Sequence, residues 1–484
     1  MKQDPAEIEL TLLHTNDMHG SVAGIARAAR LARVIRAECA AAGRPCLWWD
    51  AGDVEEWTVL ESAASQGAAM WALLRAAGVD QATVGNGLLL TYGSGALAGA
   101  AAAFGKPVLL AGLTELATGA PSPATAPFAL HDLGGLTLGV IAITVAIREY
   151  RSLGFQVADP RTVLETWLPR VRAAGADVVA VLSHCGSGRD QELAAHFGPA
   201  LGWIISAHDH AVYDEPLRVN GVAISETGHR GTYLGRLDIR LGRDGVRALR
   251  GTLLPLDRDE PGDPEVEAAW QRAVTAGQEG LDRVVATLAA PAPLDYATES
   301  PLANLLADAI RDRTGADLAV ILPGHLRHGL AAGPVTVGDM LRTLGTPTHP
   351  AVVTLTGAQV RALLEWRLAP ARMAAKPMPL RNKPMGQPAV SGLRVTLDPD
   401  GPPGARIAAL TLPDGTPLDP AALYRVGSAY YDLHFGVLDE IGPPRPTDLD
   451  LAAGPLGRTL TEYLAARSPV VPPPVGRFRV AGES

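Results

Sequence analysis

Two stretches, Leu136–Ile143 and Asp177–Ser183, are almost wholly apolar over the length of a strand. No other feature constrains the fold of this chain so strongly. A strand that faces apolar neighbours on both sides shows no polar alternation, and such strands belong to sheets covered by helices. Further strands are expected at Ile8–Leu13, Pro45–Trp49, Gln81–Val84, Pro107–Ala111, Trp203–Ser206 and Val222–Glu226. Helical spacing of apolar residues lies between them at Arg27–Ala41 and Met70–Ala77. This alternation predicts a layered α/β domain.

The segment Pro261–Leu288 breaks the alternation. It is helical in pattern for most of its length, with Asp263 as N-cap and Pro264 at the first helical position. It stops at the breaker run Ala290-Pro291-Ala292-Pro293. A linker helix is the natural reading, because 484 residues exceed one ordinary core. The expected division is a first domain at 1–256, a linker helix at 257–290 and a second domain at 291–484. In the second, a helix is expected at Glu299–Arg313 and a strand at Asp317–Ile321. A strand and turn at Val352–Gly357 should enter a helix at Gln359–Leu368. A long loop is expected at Pro370–Pro388, then paired strands at Leu393–Leu397 and Ile407–Leu412.

Several classes are excluded. The formal charge is −9, and no basic run is interleaved with aromatics, so nucleic acid is not an expected partner. No segment approaches the roughly 20 strongly apolar residues of a membrane helix. The first ten residues lack the apolar core of a secretory signal. The expectation is a soluble cytoplasmic chain, or a periplasmic or secreted one if a signal was trimmed, with no protein partner. Cys39, Cys46 and Cys185 are odd in number and lack C-x-x-C spacing, which argues against a disulfide framework or a cysteine zinc site.

Chemistry concentrates in five turns that follow strands: His14–Gly20, Asp50–Asp53, Val84–Gly87, Ser183–Gly186 and Ala207–His210. In α/β sheets, ligand groups gather beyond the carboxyl ends of strands. Together these turns offer several carboxylates, an amide and several histidines. That is ligand stock for two divalent ions sharing a carboxylate. Mixed oxygen and nitrogen donors favour zinc, manganese or iron. A metal pair suits displacement at phosphorus. A single Asp-x-His or His-x-His arises easily by chance; the ordered combination at strand ends does not. His131, His196, His325, His328, His349 and His434 read as solvated or structural. His229, in a Gly-rich turn after a strand, is a weak catalytic candidate.

The ordered motifs HTNDMHG, DAGD, GN, LSHCG and His208-Asp209-His210 resemble those of the 5′-nucleotidase branch of the calcineurin-like metallophosphoesterases. ETGHRGTYLGRLDI resembles the Gly-rich strand that follows them. ESPLANLLADAIRDRTGADLAVI, VVTLTGAQVRALLE and VSGLRVTLDPDG resemble that family's C-terminal substrate domain, in order. The resemblance implies a four-layer α/β/β/α metallophosphatase domain and an α+β C-terminal domain. It implies one ion on Asp17, His19, Asp53 and His210, and another on Asp53, Asn86, His184 and His208, with Asp53 bridging. It also implies a hydrolase in which a metal-bound hydroxide attacks a small phosphoester or nucleotide. Asp50 either orients a ligand or caps its turn.

The chain departs from that family at three places. The family turn GNHEFDYG is GNGLLLTYG here, so Gly87 replaces the histidine that assists the leaving group. Leu88 replaces the glutamate, and Leu90 or Thr91 the aspartate. After Asp53 stand Glu55 and Glu56, which either disfavour an anion at the entrance or point outward. In the second domain, Leu322–Arg327 replaces the Asn-x-Gly-Gly-x-Arg loop, leaving Arg327 as a substrate contact. Tyr431 is at best one of two expected aromatics, and Tyr430 and Tyr431 are more simply strand residues. Three functions follow: a phosphoester hydrolase with a divergent substrate, a thiosulfohydrolase-like enzyme suggested by Thr91-Tyr92-Gly93, or a catalytically degenerate metal-binding module.

Overall fold

A computed structural model describes residues 7–377, 380, 383–398, 400–434, 441, 450–451 and 454–482. The chain divides into two compact units, Met1–Gly277 and Gln278–Ser484.

The first unit holds two main sheets. One runs in the order Gly245–Pro255, Tyr233–Gly242, Ile8–Thr15, Cys46–Asp50, Gln81–Ala82. The other runs Leu217–Val219, Val222–Ser225, Trp203–Ile205, Val178–His184, Thr137–Thr144, Phe128–Asp132. Both apolar runs are indeed central strands, and they pair in parallel from Val178↔Leu138 to His184↔Thr144. Leu10, Leu12 and Trp49 of one sheet meet Leu138, Val140, Leu182 and Trp203 of the other. Trp49 and Trp203 stack with ring centroids 6.1 Å apart. Burial of such large side chains dominates a core of this kind.

Helices cover the outer faces. Val22–Ala41, Ala68–Ala77 and Ala96–Phe104 pack on the first sheet, and Pro160–Ala173 and Ser187–Phe197 flank the second. Small Ala26, Ala28, Ala29 and Ala32 are buried on the first of these helices and allow close packing. The four layers expected from the motifs are present. The first helix begins earlier than its apolar spacing implied, because Ser21 Oγ accepts the Gly24 N–H and caps it.

The turn after Gln81–Ala82 also differs from expectation. Asn86–Tyr92 is a helix, with Leu88 and Leu89 fully buried. The Leu-Leu-Leu run that replaces polar residues here supplies an apolar face, so the polar turn ends at Gly85.

Asp263 Oδ1 accepts the N–H groups of Glu265 and Val266, capping the helix Pro264–Asp282. The division between units falls inside that helix. Val284–Leu288 then forms a strand antiparallel to Gly333–Thr336 rather than continuing the helix. Its Val-Val-Ala-Thr-Leu sequence favours a pleated surface.

The second unit has α+β character. Its main sheet runs Ala389–Ser391, Leu318–Ile321, Leu423–Ala429, Pro350–Thr356, Asp450–Leu451. Helices Pro301–Thr314 and Leu456–Ala466 share one core cluster, and Gly357–Arg367 packs in another. Thr356 and Gln359 form a reciprocal capping box at the start of the last helix. Arg394–Leu397 and Ile407–Thr411 pair as expected. Tyr430 and Tyr431 are not strand residues: the strand ends at Ala429 and they open the helix Tyr430–His434. The expected loop over Pro370–Pro388 contains a short helix at Pro370–Ala374, and residues 378, 379, 381 and 382 of it lie outside the described residues. Cys39, Cys46 and Cys185 are free. Among the described residues, no helix is long and apolar enough to cross a membrane.

Candidate metal centre

The strands Ile8–Thr15 and Cys46–Asp50 run parallel to the register Thr15↔Asp50. Backbone hydrogen bonds carry the pairing past their ends. The N–H groups of Asp17, His19 and Gly20 donate to the carbonyls of Gly52, Asp53 and Val54, each at 2.9 Å. Gly52 has φ +96°, and a Cβ there would lie 2.6 Å from the Gly85 nitrogen. Glycine therefore lets the third turn pack directly on the second. Asp17, His19, Asp53, His208 and His210 all have positive φ. They are five of the eight such non-glycine residues among the described ones. Left-handed backbone is uncommon outside glycine, though Asp and His adopt it more readily than most, and here it gathers where side chains from separate turns converge.

They do converge. Asp17 Oδ1 lies 3.6 Å from His19 Nε2 and 3.4 Å from His210 Nε2. The two imidazole nitrogens are 3.1 Å apart. Asp53 Oδ2 lies 3.4 Å from His184 Nε2. Potential ligand atoms of Asp17, His19 and His210 fall within 4.8 Å of one another, as do those of Asp17, Asp53 and His184. Asp17 is thus the residue common to both clusters, whereas Asp53, the expected bridge, falls in the second alone. The His208 ring stands edge-on to His184 at 5.3 Å. Asn86 sits between Gly85 and Gly87, and the Gly87 N–H donates to Asp53 Oδ1 at 2.8 Å.

The hydrogen bonds leave specific lone pairs unused. Asp17 Oδ2 accepts from Asn16 Nδ2 at 2.9 Å and from the His208 N–H at 3.0 Å. Its Oδ1 is buried without a hydrogen-bond partner. With His184 Nδ1–H donating to the Ala51 carbonyl at 2.8 Å, the ring once its Nε2 proton is lost carries its lone pair on Nε2, and Nε2 is also buried without a hydrogen-bond partner. Asn86 Oδ1 is a third such atom. An unmet buried polar atom costs about 1–3 kcal/mol. Divalent cations would satisfy such atoms, and a mixed oxygen and nitrogen donor set suits them.

Electrostatics agree. Burial pushes the Asp17 and Asp53 carboxyls up, but the neighbouring imidazoles outweigh it and hold both below the usual range, Asp17 well below. Burial lowers His184, yet the charge of Asp53 beside it raises its pKa to about 10. Both carboxylates are therefore ionised, and a divalent cation would compete with the His184 proton for their charge.

Asp50 proves to be a turn cap. It accepts from Thr15 Oγ1 at 2.7 Å and from the Gly52 N–H at 3.0 Å, and burial raises its pKa to about 7. Neither glutamate after Asp53 points outward. Glu55 turns into the core and accepts from Trp71 Nε1, its pKa pushed up to about 8 by burial. Glu56 is 2% exposed and lies 3.8 Å from the Arg230 guanidinium.

Three supporting residues carried no assigned role in the sequence. Asn16 orients Asp17, donates to the Gly228 carbonyl and accepts from Thr227 N–H and Oγ1. Glu226 accepts the Ala211 N–H at 2.8 Å, and Asp209 accepts the Ser187 N–H at 2.7 Å, holding the His208–His210 turn. All three stood inside quoted motifs, but their residue types alone did not reveal these supporting hydrogen bonds. His229 is exposed and stacks on His210 at 4.8 Å with 17° between planes.

Arg327 and Tyr431 belong to the second unit. Arg327 Nη2 reaches the Gly345 carbonyl at 3.5 Å, and Tyr431 lies half-buried beside Tyr430. His325, read as structural, is fully buried and bonded to Asp432 at 2.9 Å.

Residues 284–436 match the family described as 5′-nucleotidase, C-terminal domain. The uncharacterized metallophosphoesterase YunD of Bacillus subtilis is 26% identical over 393 residues, 80% of this chain and 84% of its own length. The 5′-nucleotidase precursor of Thermus thermophilus has the same fold, with a TM-score of 0.57 at 23% identity, over 99% of this chain and 100% of its own. The sulfate thiohydrolase SoxB of the same organism matches with a TM-score of 0.54 at 22% identity, over 98% and 97%. The chain is therefore a relative of the 5′-nucleotidases and metallophosphoesterases, as its motifs implied. The expectation of a hydrolase acting on ester bonds agrees with these relatives.

Proposed function

We propose that this relative of the 5′-nucleotidases is a dimetal phosphoester hydrolase. Asp17, His19, Asp53 and His210 hold one ion; Asp53, Asn86, His184 and His208 hold the other. The observation that carries this reading is the set of buried, unpartnered lone pairs on Asp17, His184 and Asn86. Two divalent ions, when bound, supply activation of water and neutralisation of phosphoryl charge. Manganese, zinc and iron suit the donors.

The chain's own groups do the rest. Asn16 and the His208 N–H fix the Asp17 carboxylate, the Ala51 carbonyl fixes the His184 tautomer, and the Gly87 N–H orients Asp53. His229, stacked on His210, is the candidate to face the leaving group in place of the side chain missing at Gly87. Arg327 and Tyr431, in the second unit, are candidate contacts for a nucleotide or another small phosphoester. The thiohydrolase reading gains no support locally, because the Thr91 side chain and the Tyr92 hydroxyl are buried.

A hydrolysis panel tests the proposal. Protein loaded with Mn²⁺ or Zn²⁺ is assayed on p-nitrophenyl phosphate, bis-p-nitrophenyl phosphate, AMP and a thiosulfate conjugate. Phosphoester turnover that disappears with chelator is expected, without sulfate release. Stoichiometric metal with no turnover of any phosphoester would mean a degenerate module instead.

A further inference from the structure

The rim of the metal cluster carries a cation that the reading above does not use. Arg230 follows His229 in a turn with Gly228, Arg230 and Gly231 at φ +78°, +56° and +66°. Its N–H donates to the Asp17 carbonyl at 2.8 Å, which ties the turn to the ligand loop. Its side chain, 56% exposed, reaches Glu56 at 3.8 Å. Glu56 packs against the residue after His19: a Cβ on Gly20 would lie 2.8 Å from Glu56 Cβ. The guanidinium therefore extends from the turn beside His210 to the segment beside His19.

This pairing is asymmetric. Glu56 is buried while Arg230 is solvent-accessible, so the exposed member of the pair is the cation. At 3.8 Å the contact is longer than a hydrogen bond. A guanidinium has five N–H donors in a planar fork matched to carboxylate and phosphate oxygens. Of the Glu56–Arg230 pair, it is thus the guanidinium that faces solvent at this rim.

We infer that Arg230 is a specificity-determining residue that binds an anionic group adjacent to the reacting phosphoryl, with Glu56 positioning its guanidinium. The inference rests on the metal-centre reading and deepens it: the favoured phosphoester carries a second anionic group beside the reacting phosphoryl, as a diphosphate does.

The test uses the full chain loaded with Mn²⁺, metal content measured first, and calorimetric titration with methylphosphonate and with methylenediphosphonate. Wild type should bind the diphosphonate at least about tenfold more tightly, the scale of a hydrogen bond to a charged group. Arg230→Asn, whose residue type tolerates the left-handed backbone, should erase most of that preference and leave methylphosphonate affinity within about twofold. Arg230→Lys should keep part of it. Metal-loaded wild type with no preference, or Arg230→Asn losing affinity equally for both ligands, would overturn the inference and leave the metal centre standing. An unchanged preference in metal-loaded Arg230→Asn would overturn it too. Wild type that takes up no metal would overturn the metal-centre reading itself.

Discussion

Asp53→Ala is expected to lose both metal ions and to lower phosphoester hydrolysis by more than about 10³-fold, beyond the cost of one missing oxyanion-hole donor. The Asp53 carboxylate has one oxygen fixed by the Gly87 N–H and the other 3.4 Å from His184 Nε2. In the proposed ligand set it is shared by both ions, so its loss removes a ligand from each. His19→Ala removes a ligand of one cluster only, and should weaken one ion while the second is retained. Elemental analysis and p-nitrophenyl phosphate turnover, with circular dichroism to establish folding, measure both variants. Equal metal content in Asp53→Ala and wild type would contradict the assignment.

The second large effect concerns the leaving group. Where a catalytic imidazole is expected from the motif, Gly87 offers only a backbone N–H, and that is already given to Asp53. The helix that follows points Leu88 and Leu89 into the core. A p-nitrophenolate departs without much protonation, whereas a nucleoside 5′-alkoxide needs a proton. General acid assistance is worth about 10²–10⁴-fold. Hydrolysis of p-nitrophenyl phosphate should therefore exceed that of AMP by a factor in that range. If His229 supplies part of the missing assistance, His229→Ala should depress AMP turnover further and change p-nitrophenyl phosphate turnover less. Comparable kcat values for the two substrates in wild type and in His229→Ala alike would contradict both statements.

The fold was legible where residue chemistry is local. Near-continuous apolar runs marked Thr137–Thr144 and Val178–His184 as buried strands, and Asp263-Pro264 marked a helix start. It was illegible where tertiary packing decides. Leu88 and Leu89 turn a presumed polar loop into a helix because a core is there to receive them. Val284–Leu288 takes strand geometry because Gly333–Thr336 offers an edge. Tyr430 and Tyr431 suit a strand by propensity, yet they start a helix.

The convergence of the candidate ligand residues was legible because their types suit metal binding and because they follow strand ends. Their geometry was not. The positive φ of five of them follows from turns packed against one another, which no spacing records. Asn16 meets Thr227 and Gly228 across more than 200 residues of sequence. The contact of Arg230 with Glu56 likewise joins distant positions, and only the fold brings them together.

Anomalous scattering from crystals of the Mn²⁺-loaded protein tests the metal centre most directly. Two peaks are expected, one among Asp17, His19, Asp53 and His210 and one among Asp53, Asn86, His184 and His208, each at about 2–2.2 Å from its ligand atoms. Diffraction with no peak at these residues, under conditions that saturate the protein with metal, would contradict it.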